Sequence, residues 1–168
     1  MALTRLGPNQ SVNLASNVTG TLATGNGGTG ATSFAPGKLL QVVNSSTDFD
    51  STSSSNLELF NASITPSATS SKILITFSCV VQLDNDEYAK FSIYRGSLAS
   101  GSAVFTLDDF GFNATGGGSR YQATGHYLDS PSTTSSQQYS IVGINLYSAS
   151  IRYGAGANNP ITLMEIGA

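Results

Sequence analysis

The run Lys72-Ile-Leu-Ile-Thr-Phe-Ser-Cys-Val-Val-Gln-Leu83 constrains this chain more than any other stretch. Ile73, Ile75, Phe77, Cys79, Val81 and Leu83 share one side of a two-residue period, with Thr76, Ser78 and Gln82 on the other. Only an extended strand sends alternate side chains to opposite faces, and β-branched and aromatic residues suit such a pleated surface. A strand with one apolar face needs neighbours along its edges and a second layer over that face. No segment shows a convincing helical period with caps. The expectation is therefore an all-β fold.

Further strands follow the same rule. Leu57–Ile64 ends at Thr65-Pro66, and Ala89–Arg95 sets Phe91 and Ile93 inward against Lys90, Ser92 and Tyr94. Ala103–Phe112 precedes the glycine-rich turn before Arg120–Leu128, where Tyr121, Ala123 and Tyr127 alternate with Arg120, Gln122, Thr124 and His126. Gln138–Tyr147 and Ile161–Ile166 carry apolar side chains on both faces, which a sheet with one wet face does not need. Leu39–Val43 reads as a short strand, Asn44–Asn56 as a turn-rich loop, and Ser148–Pro160 as a connection with a short strand around Ile151–Tyr153. A count near eight strands fits an antiparallel β-sandwich of jelly-roll type.

Residues 1–32 are different. Asn13–Thr32 is rich in Gly, Thr and Asn, and its few apolar members, Leu14, Val18 and Leu22, cannot offset an ordering cost of roughly 1–2 kcal/mol per residue. The chain thus divides into an extended N-terminal arm with a Gly/Thr-rich junction, residues 1–32, and a head, residues 33–168. Copies of the arm packing on one another through Leu14, Val18 and Leu22 would order it. Leu3, Arg5, Leu6 and Val12 are the candidate anchors by which the arm docks on another protein, for instance by adding a strand to an exposed edge.

Charged residues make up only 10% of the chain, against roughly 25% in ordinary soluble domains. The net charge is −3 and the seven basic residues are scattered, so no stripe exists to bind nucleic acid. No apolar run approaches the ~20 residues of a membrane-spanning helix, and the N-terminus lacks a secretion signal's basic-then-apolar pattern. A protein of this kind working outside a cell would be released by lysis.

Candidate chemistry is sparse. Cys79 sits on an apolar face with no basic neighbour to activate it, and His126, the sole histidine, sits on a wet one. A Ser-His-Asp set built on His126 and Asp129 lacks a nucleophile elbow. Asp84, Asp86 and Glu87 resemble a fragment of a calcium loop without its central glycine and distal glutamate. Asp108-Asp109 with Asp129 or Glu87 could supply a glycosidase pair, yet the chain is short for a grooved scaffold. The expectation is a non-enzyme with no metal and no cofactor. Tyr94, Tyr121 and Tyr153 are the candidate receptor surface, since tyrosine joins a flat apolar face to a polar tip.

Asn13–Thr32, with its Asn-Leu-Ala-Ser-Asn-Val-Thr-Gly-Thr-Leu opening and Asn-Gly-Gly-Thr-Gly close, resembles a junction in phage tail-fibre and related virion proteins that joins an anchoring end to a distal domain. Ile64–Ile75, Phe91–Gly96, Tyr127–Ser132 and Ile161–Ile166 together look like the distal domain of tail-fibre and virion-decoration proteins of marine phages. The resemblance implies a homotrimeric β head on the outer surface of a virion, bound to capsid or tail proteins and able to meet a host-surface glycan or receptor. It passes on no ligand-binding residue. The doubly apolar strands then offer a trimer interface at Val142, Ile144, Leu146, Met164 and Ile166. The competing reading is a small secreted or virion-borne glycan-binding lectin or polysaccharide hydrolase.

Overall fold

A computed structural model describes residues 38–83, 88–111, 118–145 and 151–167. Eight strands occupy them: β1 Leu39–Ser53, β2 Leu57–Ile64, β3 Lys72–Leu83, β4 Tyr88–Arg95, β5 Ser102–Gly111, β6 Ser119–Asp129, β7 Gln137–Asn145 and β8 Ile151–Ile166. They form two four-stranded antiparallel sheets in the orders β1-β8-β3-β6 and β2-β7-β4-β5. β1 pairs with β8, β2 with β7, β3 with β6 and β4 with β5. This is one long hairpin, β1–β4 lying against β5–β8, rolled up until β8 also pairs with β3 and β7 with β4. The result is a jelly roll. The proposed arm, with Leu3, Arg5, Leu6, Val12, Leu14, Val18 and Leu22, lies outside the described residues.

The alternation of β3 is realised residue by residue. Ile73, Ile75, Phe77, Cys79, Val81 and Leu83 are buried, and the residues between them are half-buried on the outer face. The core lies between the sheets and is sewn together by aromatics. Phe49–Phe60, Phe77–Phe91, Phe91–Tyr153 and Phe105–Tyr127 have ring centroids 5.5–6.0 Å apart, and each pair joins a strand of one sheet to a strand of the other. Such pairs add about 0.5–1.5 kcal/mol beyond area burial.

Two expectations are corrected. The polar tract after Val43 is no loop: β1 runs 15 residues, to Ser53, paired with β8 along its length. It is an edge strand, so its Ser, Thr and Asp side chains alternate toward water at little cost. Likewise Ile151–Ile166 is one bulged strand of 16 residues. Between Tyr153 and Ile161 it leaves β3, since Phe77 pairs with Ile161 and Val81 with Tyr153. Gly154, Ala155 and Gly156 take φ of +80°, +47° and +70° there, and a Cβ on Gly154 would lie 2.2 Å from the Phe49 carbonyl oxygen. Buried Asn159 repairs the gap: its Oδ1 accepts from the Val80 backbone N–H at 3.0 Å, and its amide donates to the Thr47 and Ala157 carbonyls. Pro160, which has no N–H to donate, falls within the segment that does not pair with β3.

Candidate functional site

The outer face of the β1-β8-β3-β6 sheet carries the features that stand out. The register aligns Leu128 with Leu74, Leu74 with Met164 and Met164 with Val42, which makes one apolar row across all four strands. Ile166, paired with Leu39 and Lys72, extends it at the sheet's end. Leu39, Leu40, Val42 and Leu128 are 43–60% exposed and form most of the large exposed apolar side chains among the described residues. Large contiguous exposed apolar patches mark contacts with protein, membrane or ligand.

Farther along the same face the bulge of β8 leaves a hollow of about 320 Å3, lined by Val80, Arg120, Tyr121, Gln122, Ala155 and Ala157. Beside it runs a polar row from β1 to β6. Arg152 forms a two-pronged ion pair with Asp50, its Nε donating at 2.6 Å, and its Nη1 donates to Gln82 at 3.1 Å. That pairing, opposed by some desolvation and aided by Arg120, holds the Asp50 carboxyl below the usual range. Arg120 is paired less well: among the described residues its guanidinium makes one long bond, to Gln82 at 3.4 Å, and no ion pair.

The opposite sheet carries a polar network centred on Glu58 of β2. Glu58 accepts from the Leu98 backbone N–H at 2.8 Å, Asn61 at 3.0 Å, Ser140 at 3.1 Å and Gln138 at 3.3 Å. That network pins the loop after β4 against β2 and β7.

Two buried carboxylates lie at inward positions. Asp129 accepts from Arg95 Nε at 2.9 Å and Nη2 at 2.5 Å, and from the Tyr139 hydroxyl at 2.6 Å. Burial alone would raise its pKa; the Arg95 and Tyr139 hydrogen bonds outweigh burial and lower it. The Tyr139 hydroxyl is driven upward by burial and by Asp129. Glu165 accepts from the Ser67 N–H at 2.7 Å, the Ser67 hydroxyl at 2.6 Å and Gln41 Nε2 at 2.6 Å. Burial opposes these bonds, yet they bring its carboxyl down to about 2. Glu165 thereby ties the β2–β3 turn to β8 and β1.

The sequence-derived sites separate. Met164 and Ile166 lie on the outer face that bears the apolar row, half-buried. Val142 and Ile144 belong to β7 in the other sheet, so the four cannot share one flat contact. Val142 has no exposed surface in the single chain, which corrects its place as an interface residue. Leu146 lies outside the described residues. Tyr153 is also corrected. It is fully buried, edge-on to Phe91 at 5.8 Å, in space left by Gly143, where a Cβ would come within 2.6 Å of its ring. Tyr94 and Tyr121 are half-buried in different sheets, so the three tyrosines make no common surface.

The His126 pairings separate by parity. His126, exposed and paired with Thr76, points away from the core that holds Cys79 and Asp129. Burial pushes the Cys79 thiol up to about 12, the opposite of an activated nucleophile. Asp84, Asp86 and Glu87 lie outside the described residues, as do the side chains of Asp108 and Asp109. Sequence reasoning passed over Glu165, and it named Asp129 as a catalytic candidate without foreseeing its place between Arg95 and Tyr139. Their signal was a charged residue continuing an inward alternation: Ile161, Leu163, Glu165, and Ala123, Tyr127, Asp129.

No protein-family model matches the chain, and no curated protein matches it. Solved structures with a similar arrangement come from infectious bursal disease virus. The T13 viral particle aligns over 95% of this chain and 42% of that one, at 13% identity and TM-score 0.43. The VP2 subviral particle covers 95% and 43%, at 12% identity and TM-score 0.40. The Gx strain structure covers 77% and 38%, at 16% identity and TM-score 0.40. The chain spans about two fifths of the length of these solved chains.

Proposed function

We propose that this chain is a non-enzymatic structural protein of a virion, assembling as a homotrimer with an anchored N-terminal arm and an outward β head. The observation that carries the reading is the apolar row Val42–Met164–Leu74–Leu128, continued by Leu39 and Ile166. Four of the five large exposed apolar side chains among the described residues, Leu39, Leu40, Val42 and Leu128, belong to β1 and β6 of this sheet. Copies of the same chain are the natural cover, because the row begins with the first residues of β1 and runs across the whole sheet. Cyclic closure would bring three copies together without open filaments forming, and Leu14, Val18 and Leu22 of three arms could then pack on one another. Leu3, Arg5, Leu6 and Val12 would then dock on a capsid or tail protein, with the head free to meet a host-surface glycan or receptor.

Light scattering on the full chain tests this. The expected mass is three times that of the chain, and Val42→Asp with Leu128→Asp should reduce it to the monomer. Thr124→Asp, on the same face outside the row, should leave it unchanged. A monomeric wild type refutes the assembly.

A further inference from the structure

We infer that the hollow beside the β8 bulge binds a carboxylate-bearing ligand of about one sugar residue in size, held by Arg120 and Gln122 against Val80, Ala155 and Ala157. The inference deepens the outward-contact reading and rests on it only for the natural source of the ligand.

β8 spends seven residues, 154–160, where β3 spends three, 78–80, so it must arch off the sheet. Three successive left-handed residues turn the arch, and Ala155 holds φ +47° despite its Cβ, a conformation uncommon outside glycine and costing on the order of 1 kcal/mol. Asn159 fills the inner part of the gap. The outer part stays open and is bounded by the arch, Val80 and the first residues of β6. Its volume of about 320 Å3 falls at the lower end of ligand cavities.

Half of the lining is small and apolar, Val80, Ala155 and Ala157, and the other half, Arg120, Tyr121 and Gln122, comes from one stretch of β6. The charges along the polar row are unequal. Asp50 neutralises Arg152 through two bonds and attracts Arg120 through space, while among the described residues the Arg120 guanidinium makes one long hydrogen bond, to Gln82. A guanidinium in this state has donors to spare, and its planar fork matches a carboxylate with two parallel hydrogen bonds. The Gln122 amide lies beside it, with one donor engaged by Ser78 Oγ, and its carbonyl can accept from a ligand hydroxyl. The methyl groups of Val80, Ala155 and Ala157 suit the C–H face of a small ring. The hollow is separate from the apolar row: Val80 lies six residues along β3 from Leu74, about 20 Å at ~3.3 Å per residue. A trimer built on the row leaves it accessible.

The test is an NMR titration of 15N-labelled full chain with glucuronate and N-acetylneuraminate, with glucose and N-acetylglucosamine as neutral sugars and N-acetylalanine as a carboxylate without a sugar ring. The acidic sugars should shift the Gln122, Ala155 and Ala157 amides saturably, at least tenfold more tightly than the neutral ones. Arg120→Gln should abolish that preference, and Ala157→Leu should weaken binding by filling the space. Circular dichroism should show both variants folded. Saturable binding of N-acetylalanine as tight as the sugars assigns the site to peptide carboxylates instead of acidic sugars. No saturable shift, equal response to neutral sugars, or unchanged binding in Arg120→Gln overturns the inference. Host polysaccharide still captured by Arg120→Gln and Ala157→Leu would place the host contact elsewhere without touching the assembly reading.

Discussion

Replacing Asp129 by Asn tests whether the buried Arg95–Asp129–Tyr139 group is held by charge. Asp129 is 3% exposed and three donors converge on its two oxygens. One of those oxygens takes both Arg95 Nε and the Tyr139 hydroxyl. Asparagine can keep its carbonyl oxygen at that position, so its NH2 must face Arg95 Nη2. Arg95 is about a third exposed (34%) and can turn that nitrogen to water, which reduces the penalty for breaking a buried pair. Losing one charge-assisted bond and weakening two gives an expected cost of about 2 kcal/mol. The Asp129 pKa is lowered in the fold, so its contribution is complete above the unfolded value of about 3.9 and fades as pH falls through the folded value. Urea unfolding of both proteins at one fixed concentration, from pH 7 to pH 3, should give a gap of about 2 kcal/mol that narrows below pH 4. Glu165 titrates acidward of its usual range in both proteins and cancels in the difference. A gap that stays constant down to pH 3 would refute the charge argument and leave packing as the cause.

Two further outcomes follow from the packing. Gly143→Ala should destabilise the head by about 1–3 kcal/mol, read from the urea midpoint, because the new methyl meets the Tyr153 ring at 2.6 Å between two packed sheets. Cys79 should resist thiol reagents at pH 8 until the protein unfolds, since it is fully buried and its thiol is pushed up to about 12; modification at the rate of a free thiol would contradict that placement.

Much of the architecture was legible because strands such as β3 and β6 state their own faces. The inward parity of Ile73 through Leu83 survives into the structure without exception. The same parity carried information that polarity obscured: Asp129 and Glu165 continue inward series and are buried. Composition misled where pairing decides. Asn44–Ser53 reads as loop because edge strands can be polar, and only β8 across the ladder makes it a strand. Tyr153 read as surface because Gly154, Gly156, Asn158 and Pro160 imitate a loop; they form a bulge within a strand whose first residues, Ile151 and Tyr153, stay in the core. The apolar row could not be read at all. Its four members are contributed by four strands, and only the register sets them side by side.

The rolled hairpin also governs how the head comes into being. β3–β6 and β4–β5 can pair as soon as β6 is synthesised, but the two half-sheets they make are joined to the rest only through β7 and β8. β8, the last strand, is an inner strand between β1 and β3, so β1 has no partner until it arrives. Nearly all pairing is between distant parts of the chain, the class of topology that folds in milliseconds to seconds rather than microseconds. In that interval the open edges of β3 and β4 would be exposed to other nascent copies. The head closes only when its final strand is inserted, and the edge waiting beside β3 is where crowding would first do harm.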